Sequence, residues 1–515
     1  MTGPIHRRRL LSIGGGLTVL GAAAPFAAQL AAAGSAAGQS APDYRALVCI
    51  FMFGGNDSHN MVLATDADSY GRYYAARNTG SSPIALLPPG TAPIPVGAVS
   101  SYTGRTALNG SPEHLGGILP IVPRTPQPIP AGTNATTRTF GLHPSLGPLK
   151  TLFDAGRLSV VANVGTLVRP ITKAQFQGRT AAFPANLFSH NDQQSTWQAG
   201  ASEGASVGWG GRLGDLITGM NGTNSLFTAI STAGNAVFLS GQNVIQYQVT
   251  TGAQPAVVIN GTGSTLFGSS VAPSRVRDTI QDQTSDSLFA ADYGTVVNRS
   301  IAASSNLNVL FGTAAAAAVP APTPFVNPVN GATEGNSLAN QLATVARMIA
   351  VSSSLGLKRQ VFFVSIGGWD SHDVQNAAQG ANLARVAHAM AYFDTVMGNV
   401  GGLNMRQNVT TFTASDFSRT FTTNGDGTDH AWGGHHFVMG GSVKGGDIYG
   451  QYPTLGVDLG TFRNPDMAGN ALVPTTSVDQ YAATMGRWLG ASESGLDTIF
   501  PNLKNFPTRD LGFMT

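Results

Sequence analysis

The chain has little charge and almost no cysteine. Only 11% of its 515 residues are charged, and its one cysteine is Cys49, whereas about 25% of residues are charged in ordinary soluble proteins. A single cysteine excludes an intrachain disulfide, and its place in an apolar run predicts a buried thiol. If the three arginines at 7–9 belong to a leader, 26 of the 29 basic residues remain against 27 acidic ones. No basic surface is then left for nucleic acid.

Beyond the first 41 residues, the sequence also lacks a hydrophobic run long enough to cross a membrane. Residues 1–41 predict a targeting segment, because HRRRLLS at 6–12 is typical of twin-arginine signals and a weakly apolar stretch follows. Gln29 and several glycines dilute that stretch, which argues against a membrane anchor. We therefore expect export by the twin-arginine machinery to a periplasmic or extracellular location.

The remaining residues, 42–515, predict one large α/β domain. Apolar runs at 46–53, 158–164 and 360–366, with a β-branched run at 408–412, predict buried strands of a mostly parallel sheet. Apolar residues at helical spacing predict helices near 338–349 and 383–397. Residues 216–336, rich in Thr, Asn, Gly and Ala, are expected to form a loop-rich insertion or cap over the sheet.

Carboxylates follow three of these strands after a few small residues. They are Asp57, Asp370 and Asp416, and Ser189 follows the strand at 158–164 after a longer loop. Because parallel strands end at one edge of a sheet, these side chains are expected to meet there. Two of them have structural alternatives: Asp57 can cap a helix, and Ser189 can be an N-cap rather than a nucleophile.

The segment 413–441 is unusually rich in ionisable side chains for this chain. With the strand ends it supplies imidazole and carboxylate groups but no thiolate, a mixture that suits Zn²⁺ or Mn²⁺, with Ca²⁺ or Mg²⁺ possible if the histidines do not bind. Two such ions roughly 4 Å apart would clamp a phosphoryl or sulfuryl group. Arg419 has two interpretations, an oxyanion contact or an ion-pair partner of Asp416. The predicted metal ligands are Asp57, Asp370, His372, Asp416, His430, His435 and His436.

Several motifs together resemble a known family. They are the twin-arginine leader, GGND at 54–57, GWDSH at 368–372, SDFSRT at 415–420 and DHAWGGHHFVMGG at 429–441. This combination is similar to the secreted bacterial family catalogued as domain of unknown function 1501, which is placed in the alkaline-phosphatase-like superfamily with sulfatases. The resemblance implies a three-layer α/β/α sandwich and a potential two-metal site. It implies no substrate.

The resemblance also implies roles for individual residues. Asp57 resembles a bridging metal ligand, Asp370 with His372 the ligands of one metal, Asp416 a ligand of the other, and His430 a late histidine ligand. Ser189 resembles the nucleophile, with Thr172 a second candidate. The chain departs from the superfamily at Phe417, where Asp-His is common, and in the tight spacing of GWDSH. Either His435 or His436 compensates, or one metal site is lost.

These observations favour an exported metal-dependent hydrolase of phosphate or sulfate esters, acting on a small molecule or a polysaccharide. The alternative is a non-catalytic envelope or polysaccharide-associated protein with a degenerate site, which Phe417 favours. A metal-free serine esterase ranks last, because no nucleophile elbow is identified between a strand and a helix.

Overall fold

The computed structural model describes residues 43–130, 132–252, 261–263, 265–282, 284 and 287–515. The predicted targeting segment therefore lies outside the described residues. The strands are β1 Arg45–Met52, β2 Val62–Ala64, β3 Leu119–Ile121, β4 Phe140–Leu142, β5 Leu158–Gly165, β6 Ala229–Ser231, β7 Tyr247–Gln248, β8 Phe325–Val326, β9 Thr333–Glu334, β10 Arg359–Ile366, β11 Val409–Ser415, β12 Gly434–Met439, β13 Ile448–Tyr449, β14 Met467–Ala468, β15 Ala471–Leu472 and β16 Thr476–Ser477.

Helices connect most of these strands. The α-helices are α1 Ala67–Arg77, α2 Pro112–Leu115, α3 Gly147–Asp154, α4 Lys173–Gln177, α5 His190–Ala199, α6 Trp209–Ile217, α7 Ala272–Ile280, α8 Leu288–Phe311, α9 Ala314–Ala317, α10 Ser337–Ala350, α11 Gln375–Met397, α12 Val478–Leu489 and α13 Glu493–Ile499. Short 3-10 helices span Ser58–Asn60, Pro144–Leu146, Thr218–Phe227, Val237–Leu239, Arg406–Asn408 and Leu503–Asn505.

A large sheet forms the centre of the molecule. Its strands run in the order β13-β5-β12-β11-β1-β10-β6-β7, with β16 also paired to β5. Strand β12 is antiparallel to both of its neighbours, and the other pairings are parallel. The predicted mostly parallel sheet is thus confirmed. Met52 lies opposite both Ile366 and Ser415, so β1, β10 and β11 end side by side.

Both faces of this sheet are covered, which explains why its strands are continuously apolar. Along β1, Val48 and Ile50 pack in a core with α10 and α11, whereas Cys49 and Phe51 pack in a second core with α6 and α12. The thiol of Cys49 is buried and free, as its apolar surroundings predict.

Part of the region expected to be an insertion belongs to the sheet. Residues 229–231 and 247–248 form β6 and β7, and β6 pairs in parallel with β10. The described remainder of 216–336 includes α7, α8, α9 and the β8–β9 hairpin. Among the described residues, no helix is both long enough and apolar enough to cross a membrane.

Candidate metal centre

A cluster of imidazoles and carboxylates lies where β1, β10 and β11 end. The loops after these strands carry Asp370, His372, Asp416 and His430, and the first residue of α5 adds His190. Helix α5 begins there because its N-cap, Ser189, accepts a hydrogen bond from the backbone N–H of Asp192 at 3.5 Å. The sheet edge and one helix start therefore build the site together.

His190 is held between two carboxylates. Its Nδ1 lies 2.6 Å from Oδ2 of Asp416, which also accepts from the backbone N–H of Gly54 and from Gln194. A carboxylate only accepts, so the proton is assigned to Nδ1 and the Nε2 lone pair faces Asp370, 3.5 Å away. Both Nε2 of His190 and Oδ1 of Asp416 are buried without a hydrogen-bond partner. The hydrogen bond to Asp416 raises the pKa of His190 above its ordinary value, although burial opposes it.

The other two histidines are oriented in the same manner. His430 donates from Nδ1 to the carbonyl oxygen of Phe188 at 2.7 Å, and His372 from Nδ1 to Oδ1 of Asp429 at 3.2 Å. Their Nε2 atoms lie 2.9 Å apart, and those of His430 and His372 lie 3.5 and 3.1 Å from Oδ1 of Asp370. Burial lowers the pKa of His430, which favours the neutral imidazole that a metal needs.

Nε2 of His190, Nε2 of His430 and the Asp370 carboxylate thus form one donor set, and Nε2 of His372 lies beside it, 2.9 Å from Nε2 of His430. The ligand atoms of His190, Asp370 and His430 all lie within 4.8 Å of one another. A tetrahedral cation with bonds of about 2.0–2.1 Å separates its ligands by about 3.3 Å, close to the contacts of 2.9–3.5 Å here. Metal-binding histidines almost always donate their second nitrogen to an acceptor, as all three do. The residues present therefore fit a divalent ion such as Zn²⁺ or Mn²⁺.

Arg419 is buried beneath this cluster and contacts Asp370. The backbone carbonyls that accept from its guanidinium belong to Gly54, Gly55, Trp369 and Thr428. Its Nη2 also donates to Oδ1 of Asp370 at 2.6 Å, so its acidic partner is Asp370 and not Asp416. Because its donors are engaged in the protein, Arg419 ties the strand-end loops together and is not free for an oxyanion. Burial raises the pKa of Asp370, but Arg419 and nearby histidines outweigh it and leave it lowered.

Asp57 does not join the cluster. Its side chain is fully buried and forms a two-pronged ion pair with Arg77, at 2.5 and 3.1 Å. Gln375 donates to it at 2.5 Å, and the backbone N–H of His59 at 3.1 Å. These four bonds occupy both oxygens, so the expected bridging role finds no room for a cation. The structural alternative, a carboxylate capping a helix, describes Asp57 better, since it caps the 3-10 helix Ser58–Asn60.

His435 and His436 do not compensate for Phe417. They are adjacent on β12 and therefore point to opposite faces of the sheet. His435 stacks on Tyr452 at 4.6 Å, and His436 packs edge-on against Trp197 at 4.8 Å. Burial lowers the pKa of His436 to about 3. The imidazoles that lie against Phe417 are those of His430 and His190, with ring centres 4.5 and 4.8 Å away.

The two hydroxyl candidates occupy different surroundings. Thr172 is exposed and belongs to a capping box with Gln175 at the start of α4, a structural role. Ser189 is half-buried and lies between Phe188, whose carbonyl binds His430, and His190. Residues 200–204 and 204–208 both match G-x-S-x-G, but they connect α5 to α6. Neither follows a strand, so neither forms a nucleophile elbow.

His190 is the residue that the sequence interpretation missed. The sequence held a signal for it, because His190 and Gln194 are four residues apart in the helix predicted to begin after Ser189. In the structure both side chains contact Oδ2 of Asp416. Residues at this spacing share one face of a helix, and the N-cap Ser189 already indicated where that helix begins. The choice between the serine and the histidine beside it required the backbone.

The comparisons identify the family of this chain. The family model described as "Protein of unknown function (DUF1501)" matches residues 44–500, so the chain belongs to that family. The match includes every residue of the cluster. A search of curated proteins gives no match. The family description assigns no activity.

Proposed function

We propose that this DUF1501 protein is an exported, metal-dependent hydrolase of phosphate or sulfate esters. The supporting observation is the convergence of three imidazole Nε2 atoms on Asp370 while each Nδ1 is held by an acceptor. A divalent cation held by His190, Asp370, His372 and His430 would supply Lewis-acid polarisation of the ester and neutralise developing charge. Zn²⁺ is the first candidate and Mn²⁺ the second, because Ca²⁺ and Mg²⁺ prefer oxygen ligands and are expected only if the histidines do not bind.

The proposal includes the architecture and the location. We infer that the sheet and its helices form the three-layer alkaline-phosphatase-like sandwich. Support comes from helical cores on both faces and from ligands placed after neighbouring parallel strands. Export through the twin-arginine machinery is inferred from the basic and weakly apolar residues of the first 41 positions.

Ser189 is the proposed nucleophile. Within the described residues its Oγ accepts one long hydrogen bond, 3.5 Å from the Asp192 nitrogen, and its side chain also contacts the Asp192 carboxylate. The N-terminal end of α5 would stabilise negative charge there. Oγ would form a bond to phosphorus or sulfur as the ester oxygen leaves with a proton to become the alcohol. Water would then cleave the seryl ester, restoring the hydroxyl and releasing phosphate or sulfate.

The charge of the site favours a monoanionic ester. Asp370, Asp416 and Asp429 carry three negative charges. In the part of the chain that the structure describes, Arg419 is the guanidinium in contact with them, and its donors are engaged. With neutral imidazoles, a divalent cation would bring these groups to zero net charge. We therefore expect sulfate monoesters and phosphodiesters to bind better than doubly charged phosphate monoesters.

The second candidate is a non-catalytic envelope or polysaccharide-associated protein. The observation that favours it is the closed ion pair of Asp57 with Arg77. With Asp57 engaged in that pair, the described part of the chain has one group of potential metal ligands. The resemblance implies two metals, so one of the two sites has no ligands left among the residues that the structure describes. A cation at the remaining centre would then have a structural role.

Metal analysis combined with hydrolysis assays tests the proposal. After metal removal and reloading, we expect one Zn²⁺ or Mn²⁺ per chain, and faster hydrolysis of 4-nitrophenyl sulfate or bis(4-nitrophenyl) phosphate than of 4-nitrophenyl phosphate. His430→Ala should lose both metal and activity, and Ser189→Ala should lose activity alone. His114→Ala, which removes a histidine outside the cluster, should keep both. A protein that binds the cation but hydrolyses none of the three esters supports the second candidate.

A further inference from the structure

Two adjoining cavities lie away from the metal centre, between α5, α6, α12 and the end of α13. Their volumes are about 220 and 200 Å³. None of the residues lining them is a donor of the metal cluster. Six residues line both cavities: Thr196, Gly200, Ala201, Val478, Asp479 and Asn502.

Asp479 is a buried carboxylate in the wall that the two cavities share. It is 9% exposed, and its Oδ2 is buried without a hydrogen-bond partner. Helix α12 does not need it as a cap, because Ser477 and Gln480 form a complete capping box there, with bonds of 3.0 and 2.9 Å. An unpaired buried carboxyl group destabilises a protein, so its retention beside a cavity points to a ligand.

A guanidinium faces the smaller cavity as well. Arg212, on α6, lines that cavity and donates to the backbone carbonyl of Thr498. The nearby carboxylate of Asp215 is already satisfied by three backbone N–H groups at 2.7–2.9 Å. Within the described part of the chain, Arg212 and Asp479 influence each other's charge but make no hydrogen bond. The cavity therefore presents a carboxyl group and a guanidinium that are not paired with each other.

Apart from Thr196 and Asn502, the rest of the smaller cavity is lined by apolar residues and glycine. Trp209, Ile499, Phe500 and Pro501 contribute to its lining. Its volume of about 200 Å³ is below the roughly 300–1,000 Å³ of sites for drug-sized ligands. A ligand for this space is small, carries both charges and has an apolar body.

We infer that this cavity binds a free α-amino acid with an aliphatic side chain. Its ammonium group would pair with Asp479 and its carboxylate with Arg212, while the side chain packs against Trp209 and Phe500. Charge-assisted hydrogen bonds would then form at both ends of the ligand.

Calorimetric titration of the exported protein tests this inference with three probes of equal shape. They are L-leucine, 3-methylbutylamine, which lacks the carboxylate, and 4-methylpentanoate, which lacks the ammonium group. We expect L-leucine to bind at least about tenfold more tightly than either analogue. Asp479→Asn should weaken L-leucine binding by about tenfold and reduce its advantage over 4-methylpentanoate. Asp497→Asn, an exposed change on α13, should leave all three affinities unchanged.

Three results would overturn the inference: no binding of L-leucine at millimolar concentration, equal binding of L-leucine and the amine, or unchanged L-leucine affinity in Asp479→Asn. The thermal melt of each variant shows whether it is folded. Arg212→Gln provides a second route, because it should weaken L-leucine and 4-methylpentanoate but not 3-methylbutylamine. Metal content and ester hydrolysis should be unaffected by L-leucine, so this inference and the proposed hydrolase fail independently.

Discussion

Asp57 and Asp370 follow neighbouring parallel strands after similar glycine-containing turns, yet they have opposite surroundings. Asp57 is fully buried, with Arg77, Gln375 and a backbone N–H on its two oxygens. The Asp370 side chain is 50% exposed and faces the Nε2 atoms of three histidines. Nε2 of His190 is buried without a hydrogen-bond partner, whereas Nε2 of His372 lies 3.5 Å from Nη1 of Arg419. Both carboxylates pair with an arginine, but four bonds occupy both oxygens of Asp57. By contrast, Arg419 contacts Oδ1 of Asp370, and Oδ2 of Asp370 faces His190.

The histidines divide in the same way. His190, His372 and His430 each have one nitrogen held by an acceptor and the other directed to Asp370. His435 and His436 are buried among aromatic rings on β12. The same residue types thus serve a metal centre at the sheet edge and packing in the sheet interior.

The largest expected effect comes from opening the Asp57 ion pair. Asp57→Ala leaves the buried Arg77 charge unpaired, and we expect a loss of about 3–5 kcal/mol in the free energy of unfolding, measured with urea. The double variant Asp57→Leu with Arg77→Met removes both charges and should recover part of that loss. If Asp57→Ala lowered the free energy of unfolding by less than about 1 kcal/mol, the ion pair with Arg77 would not be what occupies Asp57 in the folded protein.

Asp479 extends the comparison to a buried carboxylate without a partner. Burial raises its pKa from 3.8 to about 7, and Arg212 only partly opposes this. Between about pH 4 and pH 7 the folded state therefore holds a proton on Asp479 that the unfolded state releases. The free energy of unfolding falls as the pH rises through this range. Relative to Asp479→Asn, the wild type should lose about 4 kcal/mol over that range. Urea unfolding at pH 4 and pH 8 measures this difference, and an equal gap at both values would contradict the assignment.

Asp416→Asn sharpens the metal side of the comparison. It preserves shape but weakens the acceptor that orients His190, and loss of such an outer partner typically lowers metal affinity by about 10–100-fold. Competition with a chelator measures this change, with Asp447→Asn, a carboxylate that accepts from Thr125 far from the cluster, as the control. Unchanged affinity in Asp416→Asn would show that His190 is not a ligand.

The smallest effect is expected at His436. His436→Phe keeps an aromatic ring against Trp197 and removes an unpartnered buried Nδ1. Metal affinity should stay within about twofold of the wild type in the same assay, because the residue belongs to the interior. A tenfold decrease would return His436 to the ligand set.

Periodicity and apolar runs predicted much of the fold. The runs at 46–53, 158–164 and 360–366 are β1, β5 and β10 to within one residue at either end. Helix α11 begins at Gln375, eight residues before the predicted 383. The prediction began too late because the first turns bury polar side chains such as Gln375 and Gln379, which do not show apolar spacing. Apolar spacing does not indicate a helix that is buried through its polar groups.

The site was only partly predictable for a related reason. The sequence indicated that Asp370 and Asp416 would share one edge, and both contact His190. It did not indicate that Arg77, on helix α1, would neutralise Asp57, nor that α5 would add His190 to the cluster beside Ser189. Both facts depend on how helices dock on the sheet, which local patterns do not encode.

The most direct test of the central claim is anomalous diffraction at the zinc edge from crystals soaked in Zn²⁺. We predict one strong peak about 2.0–2.1 Å from Nε2 of His190 and Nε2 of His430, beside the Asp370 carboxylate and with His372 completing the set. A crystal that shows no peak at this position, or a peak only beside Asp57, would contradict the claim that this sheet edge is a metal centre.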